Sequence, residues 1–123
     1  MKKFDLEDRF IDYVIDVSNI VDVIDNSKLG NHISGQLTRS SSSPALNYGE
    51  AQSAESRKDF VHKLKIVLKE LKESRIGLKI IERKPLITDI TKVAPVLKET
   101  EELIAIIYKS IETAKSNMDN NKT

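Results

Sequence analysis

The side chains in this sequence that could do chemistry are concentrated in residues 56–83, and most of them are cations. They recur every three to four residues, which is the spacing of one face of an α-helix. The cations of this basic face are Lys58, Lys65, Lys69, Lys72, Lys79 and Arg83. Ile76 interrupts this row of cations. The row contains no aromatic side chain. Such a face could contact successive phosphates of RNA or DNA with weak sequence specificity, because no ring is present to stack on a base.

Charge is distributed unevenly along the chain. Residues 5–25 contain seven carboxylates and one arginine, a net charge of −6, whereas residues 56–83 contain nine cations and four carboxylates, a net charge of +5. Three interpretations are open: the basic face binds phosphates, it pairs with the acidic stretch within or between subunits, or both faces are solvated. Because the whole chain carries only +1, any attraction to nucleic acid must come from the local cluster.

Candidate catalytic and metal-binding groups are few. His32 and His62 can titrate near neutrality, and Asp59 lies one helical turn before His62. Di-metal helix bundles need such acid-x-x-His pairs from two helices, and this chain has one, beside a helix start. Residues 30–35 have the outer glycine spacing of a phosphate loop but lack the Lys-Ser/Thr that should follow. The serines at 40–43 have no identifiable base. We therefore expect no enzyme activity, no metal and no cofactor.

Four amphipathic stretches must position these groups. Apolar residues step by four and three along residues 5–25, 29–51 and 56–83 and along most of the remainder, where Thr88 or Thr91 could cap the last helix. No stretch has the alternation of a strand. The pattern predicts an all-α, up-down-up-down four-helix bundle in one domain, residues 1–123. We expect an ordered core over about residues 5–117 and a frayed C-terminal tail.

The first three predicted helices each have an unusual feature. Helix one carries surplus apolar residues, including Ile11 and Ile15, which predicts burial against a second copy. Helix two is rich in small residues and contains Pro44, so we expect a kink over residues 40–44 unless its serines form a linker. Helix three begins at the N-cap residue Ser56, and its Gly77 is either a tolerated glycine or a close helix crossing.

The composition and the first eight residues favour a cytoplasmic location. The sequence has no cysteine and no apolar run long enough to span a bilayer, and its first eight residues turn acidic too early for a secretory signal. We therefore expect no membrane partner.

Several segments resemble one known family. They are Gln-Leu-Thr-Arg at 36–39, residues 43–51, residues 56–64, which begin Ser-Arg-Lys-Asp-Phe, and residues 66–70. They are similar to the four-helix bundle proteins encoded in intervening sequences of bacterial 23S ribosomal RNA genes. Thr38 and Asp59 depart from the family pattern, which more often has arginine and glutamate there. The resemblance implies a ring-shaped homopentamer without known enzyme activity. Retroelement accessory variability proteins, which help a reverse transcriptase and bind nucleic acid, are similar to the same family.

The functional hypothesis is a non-catalytic, oligomeric bundle. It would act as an accessory factor associated with RNA or DNA through the basic face, with itself and a nucleic acid or a nucleic-acid-processing protein as partners. The alternative is a structural or protein-interaction scaffold whose charges organise assembly only.

Overall fold

The computed structural model describes residues 5–121, without the side chains of residues 119–121. Its four helices are α1 (Leu6–Val21), α2 (Lys28–Gln52), α3 (Arg57–Arg83) and α4 (Val93–Asn121), and a 3-10 turn at Ile90–Lys92 precedes α4. The described residues contain no strand, and the predicted all-α, four-helix fold is confirmed. The predicted C-terminal fraying concerns in part residues 122–123, which lie outside the described residues.

Side-chain oxygens at each helix start explain most of the helix bounds. Asp5, Ser27 and Ser56 each accept a hydrogen bond from the backbone N–H three residues on, and so cap α1, α2 and α3. Asp89, rather than Thr88 or Thr91, caps the turn before α4, because its carboxylate accepts the Thr91 N–H at 3.1 Å.

The first helix is shorter than expected, because it ends at Val21 and not at residue 25. The backbone N–H of Asp25 donates to the carbonyl oxygen of Leu86 at 2.9 Å, which ties the first connection to the segment after α3. The N–H groups of Val23 and Ile24 bond to carbonyls three residues back, so the α-helical ladder has already ended before Asp25.

Contacts between successive helices join the start of one to the end of another in the α1–α2 and α2–α3 pairs. The rings of Phe10 in α1 and Tyr48 in α2 are in contact, with centroids 5.3 Å apart. The start of α1 therefore lies beside the end of α2. Lys63, early in α3, pairs with Glu50, late in α2. The helices contact one another in the cyclic order α1, α2, α3, α4 and back to α1. α1 and α3 therefore occupy diagonally opposite corners.

The α2–α3 crossing is close. A Cβ added to Gly77 would lie 3.0 Å from the Leu37 side chain, which favours the close-crossing interpretation of this glycine. α2 continues through Pro44, which is buried, and the serines at 40–43 are helical, so they do not form a linker. The kink itself stays a prediction.

A layer of hydroxyl groups crosses the aliphatic core, and all four helices contribute to it. We call it the hydroxyl layer: Tyr13, Ser40, Ser74 and Thr100, all fully or almost fully buried. The Tyr13 hydroxyl lies 2.7 Å from Thr100 Oγ1, and the Ser40 and Ser74 hydroxyls lie 2.8 Å apart. Burial raises the pKa of Tyr13, although its hydrogen bond with Thr100 opposes that rise. Ser74 thus occupies an apolar position in the α3 pattern because it belongs to this layer.

Candidate nucleic-acid interface

The orientation of α3 is set by its apolar residues. Leu64, Val67, Leu71, Leu78 and Ile81 are fully buried, as the four-three spacing predicts. Their burial turns the opposite side of the helix to solvent, and all six predicted cations are exposed there: Lys58, Lys65, Lys69, Lys72, Lys79 and Arg83. At 1.5 Å per residue, the basic face from Lys58 to Arg83 is about 38 Å long.

Other cations are neutralised within the chain. Lys63 bonds Glu50 at 2.7 Å and Arg75 bonds Glu101 at 3.0 Å, so these two α3 cations lie in ion pairs with neighbouring helices. Arg9 of α1 donates two hydrogen bonds to the Glu99 carboxylate of α4, so it too is neutralised by a neighbouring helix. Among the described residues, none of the six cations of the basic face forms an ion pair.

The acidic stretch is too distant to pair with the basic face in one copy. Asp8, Asp12 and Asp16 are exposed on α1, at the corner of the bundle diagonal to α3. Partial burial, together with the charges of Asp12 and Glu99, raises the pKa of Asp16. Pairing between the two faces within one subunit therefore does not occur in the described part of the chain.

Arg39 does not join the basic face. It donates to Glu70 at 2.5 Å and to Glu73 at 2.8 Å, both on α3. The hydrogen bond from Arg39 lowers the pKa of Glu73, and the two carboxylates raise the pKa of Arg39. Glu70 is only 4% exposed, so this arginine compensates a buried carboxylate. Sequence reasoning missed the pair, since nothing local places Arg39 opposite Glu70.

The gap in the basic face is itself a feature of the surface. Ile76 is 60% exposed, and beside it a shallow groove of about 220 Å³ runs between α2 and α3. We call it the α2–α3 groove; it is lined by Ile33, Gln36, Leu37, Ser40, Glu73, Ile76, Gly77 and Ile80. The groove was not predictable before the two helices were paired in register.

The described residues do not bring the candidate titratable groups together. His32 and His62 are exposed and lie on different helices, and no group of three or more possible metal ligands occurs in the described part of the chain. A larger groove of about 660 Å³ lies at one end of the bundle, between the α2–α3 connection and the second half of α4. Its described lining contains no histidine, so it lacks a general base of that kind.

The four helices and their charged faces place the chain in the class of all-α helix-bundle proteins. Over residues 5–121, none of the helices is long and apolar enough to cross a bilayer. The chain belongs to the family of 23S rRNA-intervening sequence proteins, whose family model matches residues 3–109, and the resemblance noted from its motifs is confirmed.

The same fold is found in a solved structure of a bacterial protein. It is a protein of unknown function from the S23 ribosomal protein family of Bacteroides thetaiotaomicron VPI-5482, with 27% sequence identity and a TM-score of 0.78. The match covers 87% of this chain and 98% of that one. No match was found among curated proteins.

Proposed function

We propose that this chain is a non-catalytic, self-associating bundle protein that binds the phosphates of RNA or DNA through the basic face of α3. One observation carries the proposal: six exposed cations share one helix face, and none of them is in an ion pair with a described carboxylate. Lys63, Arg75 and Arg39 form ion pairs within the chain. The six cations of the basic face remain available to bind a polyanion.

The expected strength of binding follows from counterion release. Each phosphate neutralised contributes about −0.7 to the log–log salt slope for a single strand and about −0.9 for B-form DNA. Full use of the basic face by a single strand would therefore give a slope of about −4. Repetition of the face around an oligomer would add contacts, and binding would depend little on base sequence, because phosphate contacts position without specifying.

The test removes charge from the N-terminal half of the basic face. Lys58→Gln, Lys65→Gln and Lys69→Gln together should weaken binding of a generic single-stranded RNA and flatten the salt slope by about 2, measured by fluorescence anisotropy over a salt series. The matched control is Lys98→Gln, Lys109→Gln and Lys115→Gln, three exposed lysines of α4 with the same loss of charge. Equal weakening by both triple variants, or no RNA binding by the wild type at low salt, would reject the proposal.

A homopentamer is the proposed assembly. Ile11 and Ile15 protrude from α1 at 47% and 55% exposure, which supports self-association, and the number five rests on the family resemblance. Light scattering should give about 70 kDa, five times the 13.9 kDa of one chain. A mass of 13.9 kDa at micromolar concentration would contradict it. We also propose a cytoplasmic location, which suits a sequence without cysteine.

The second candidate function is a scaffold whose charges only organise assembly. Two observations favour it: residues 5–25 carry −6 and residues 56–83 carry +5, so the two stretches nearly cancel, and an exposed isoleucine interrupts the basic face. High salt should then loosen the oligomer, since exposed charge pairs are screened, whereas RNA should not bind at physiological salt.

A further inference from the structure

Two surfaces on opposite sides of the bundle have complementary shape and charge. The first is the α1 knob, which we define as Ile11 and Ile15. Asp8, Asp12 and Asp16 lie around it. The second is the α2–α3 groove, with Ile76 on its rim. We infer that the α1 knob of one copy docks into the α2–α3 groove of the next copy. This inference rests on the proposed self-association and specifies its surfaces.

The α1 knob is an apolar projection. Ile11 and Ile15 lie one helical turn apart, so their side chains share one face and are neighbours on the helix surface. Both are exposed, whereas Phe10, Tyr13 and Val17 of the same helix are fully buried in the bundle core. Two neighbouring β-branched side chains on the outside of a helix contribute nothing to the core of their own copy.

The α2–α3 groove offers a site of matching size. It exists where Gly77 has no side chain and the Leu37 side chain lies against the glycine backbone, so the floor is apolar. Its volume of about 220 Å³ is roughly seven times the 30 Å³ that one water occupies in the liquid, which is room for an isoleucine side chain. Ile76 on the rim adds a second exposed apolar contact.

The charges around the two surfaces are opposite. Asp8 precedes Ile11 by three residues and Asp12 precedes Ile15 by three, so carboxylates flank the α1 knob. Lys72 and Lys79 lie four residues before and three residues after Ile76, so ammonium groups flank the exposed isoleucine on the rim of the groove. Glu73, which lines the groove, is already paired with Arg39. Docking would therefore place carboxylates against ammonium groups around an apolar centre.

The geometry of one copy makes the contact head-to-tail. α1 and α3 occupy diagonal corners, so the knob and the Ile76 rim of the groove face different directions and cannot meet within one bundle. A contact between two different surfaces repeats from copy to copy and closes into a ring or continues as a filament. It would use Lys72 and Lys79 and leave the N-terminal half of the basic face open to phosphates.

Two variants that each lose one of the surfaces test this arrangement. The knob variant is Ile11→Gln with Ile15→Gln, and the groove variant is Ile76→Asp with Lys79→Gln. All four positions are exposed in the single copy, so circular dichroism should show an intact bundle in both variants. Each variant alone should sediment as a 13.9 kDa monomer, since each has lost one half of every contact.

The decisive measurement is sedimentation of an equimolar mixture of the two variants. The groove variant still has its knob and the knob variant still has its groove, so the mixture should form a dimer of about 28 kDa, twice 13.9 kDa, and stop there. The matched control, Leu46→Gln with Tyr108→Gln, removes two exposed apolar side chains elsewhere and should assemble like the wild type.

Three other outcomes would contradict docking of the α1 knob into the α2–α3 groove. A mixture that stays monomeric, while the wild type assembles, would show that self-association uses other surfaces. Assembly of either variant alone would show the same. A monomeric wild type would overturn the proposed self-association together with the docking, whereas the RNA-binding test with the lysine variants is read independently of both.

Discussion

The hydroxyl layer allows a double-mutant test of the bundle core. In Thr100→Val, the Tyr13 hydroxyl loses its 2.7 Å partner while it remains fully buried. Leaving a buried hydroxyl short of a partner costs about 1–3 kcal/mol, so we expect a loss of about 2 kcal/mol. In Tyr13→Phe, Thr100 still donates to the Val96 carbonyl at 2.7 Å, so the loss should be about 1 kcal/mol.

The combined variant should be less destabilised than the two single changes together. With both partners apolar and of similar shape, no hydroxyl of this pair is left buried without its partner, and the total loss should be only about 1 kcal/mol. The coupling between the two positions is then about 2 kcal/mol in magnitude.

Urea unfolding, followed by circular dichroism, measures each free energy of unfolding, and equal slopes across the four proteins would validate the comparison. Losses that add within about 0.5 kcal/mol would refute this account of the pair.

Two further substitutions test packing and charge. Gly77→Ala should destabilise the bundle by about 1–3 kcal/mol, because its methyl group would press on a buried leucine, whereas Gly35→Ala, with no described atom within 4 Å of its new Cβ, should stabilise it by about 0.5–1 kcal/mol. Urea unfolding of both variants checks this, and similar gains would contradict the close crossing. Asp16→Asn should raise the melting temperature at neutral pH, because the pKa of Asp16 is raised in the fold and its charged form is therefore unfavourable there. The gain should shrink as pH falls through that raised pKa and vanish below the unfolded-state value, where the wild-type carboxyl is protonated in both states; a gain that persists in acid would reject a charge effect.

The sequence alone determined the features that depend on the period of a helix. The four-three spacing placed the buried residues of α3 correctly, and exposure of the six cations followed, because side chains on opposite faces of one helix are related by local geometry. The N-cap at Ser56 was also readable, since it needs only the backbone three residues on. The exposure of Ile11 and Ile15 followed from an apolar stripe wider than one core requires.

The features that the sequence pattern did not predict depend on long-range contacts. After α1 ends at Val21, Asp25 bonds to Leu86, which lies far along the chain, and no local signal marks that bond. Nothing in the sequence indicated a partner for Arg39; only the alignment of α2 and α3 places it on Glu70 and Glu73.

The tertiary structure alone decided which helices are neighbours, and the candidate site depends on that arrangement. Ser74 fits its apolar position only because Ser40 lies across from it on another helix. The acidic and basic faces stay unpaired within one copy because α1 and α3 are diagonal. Helical periodicity constrains the direction of each side chain around its own axis, but the order and register of the helices depend on the packing of the entire core.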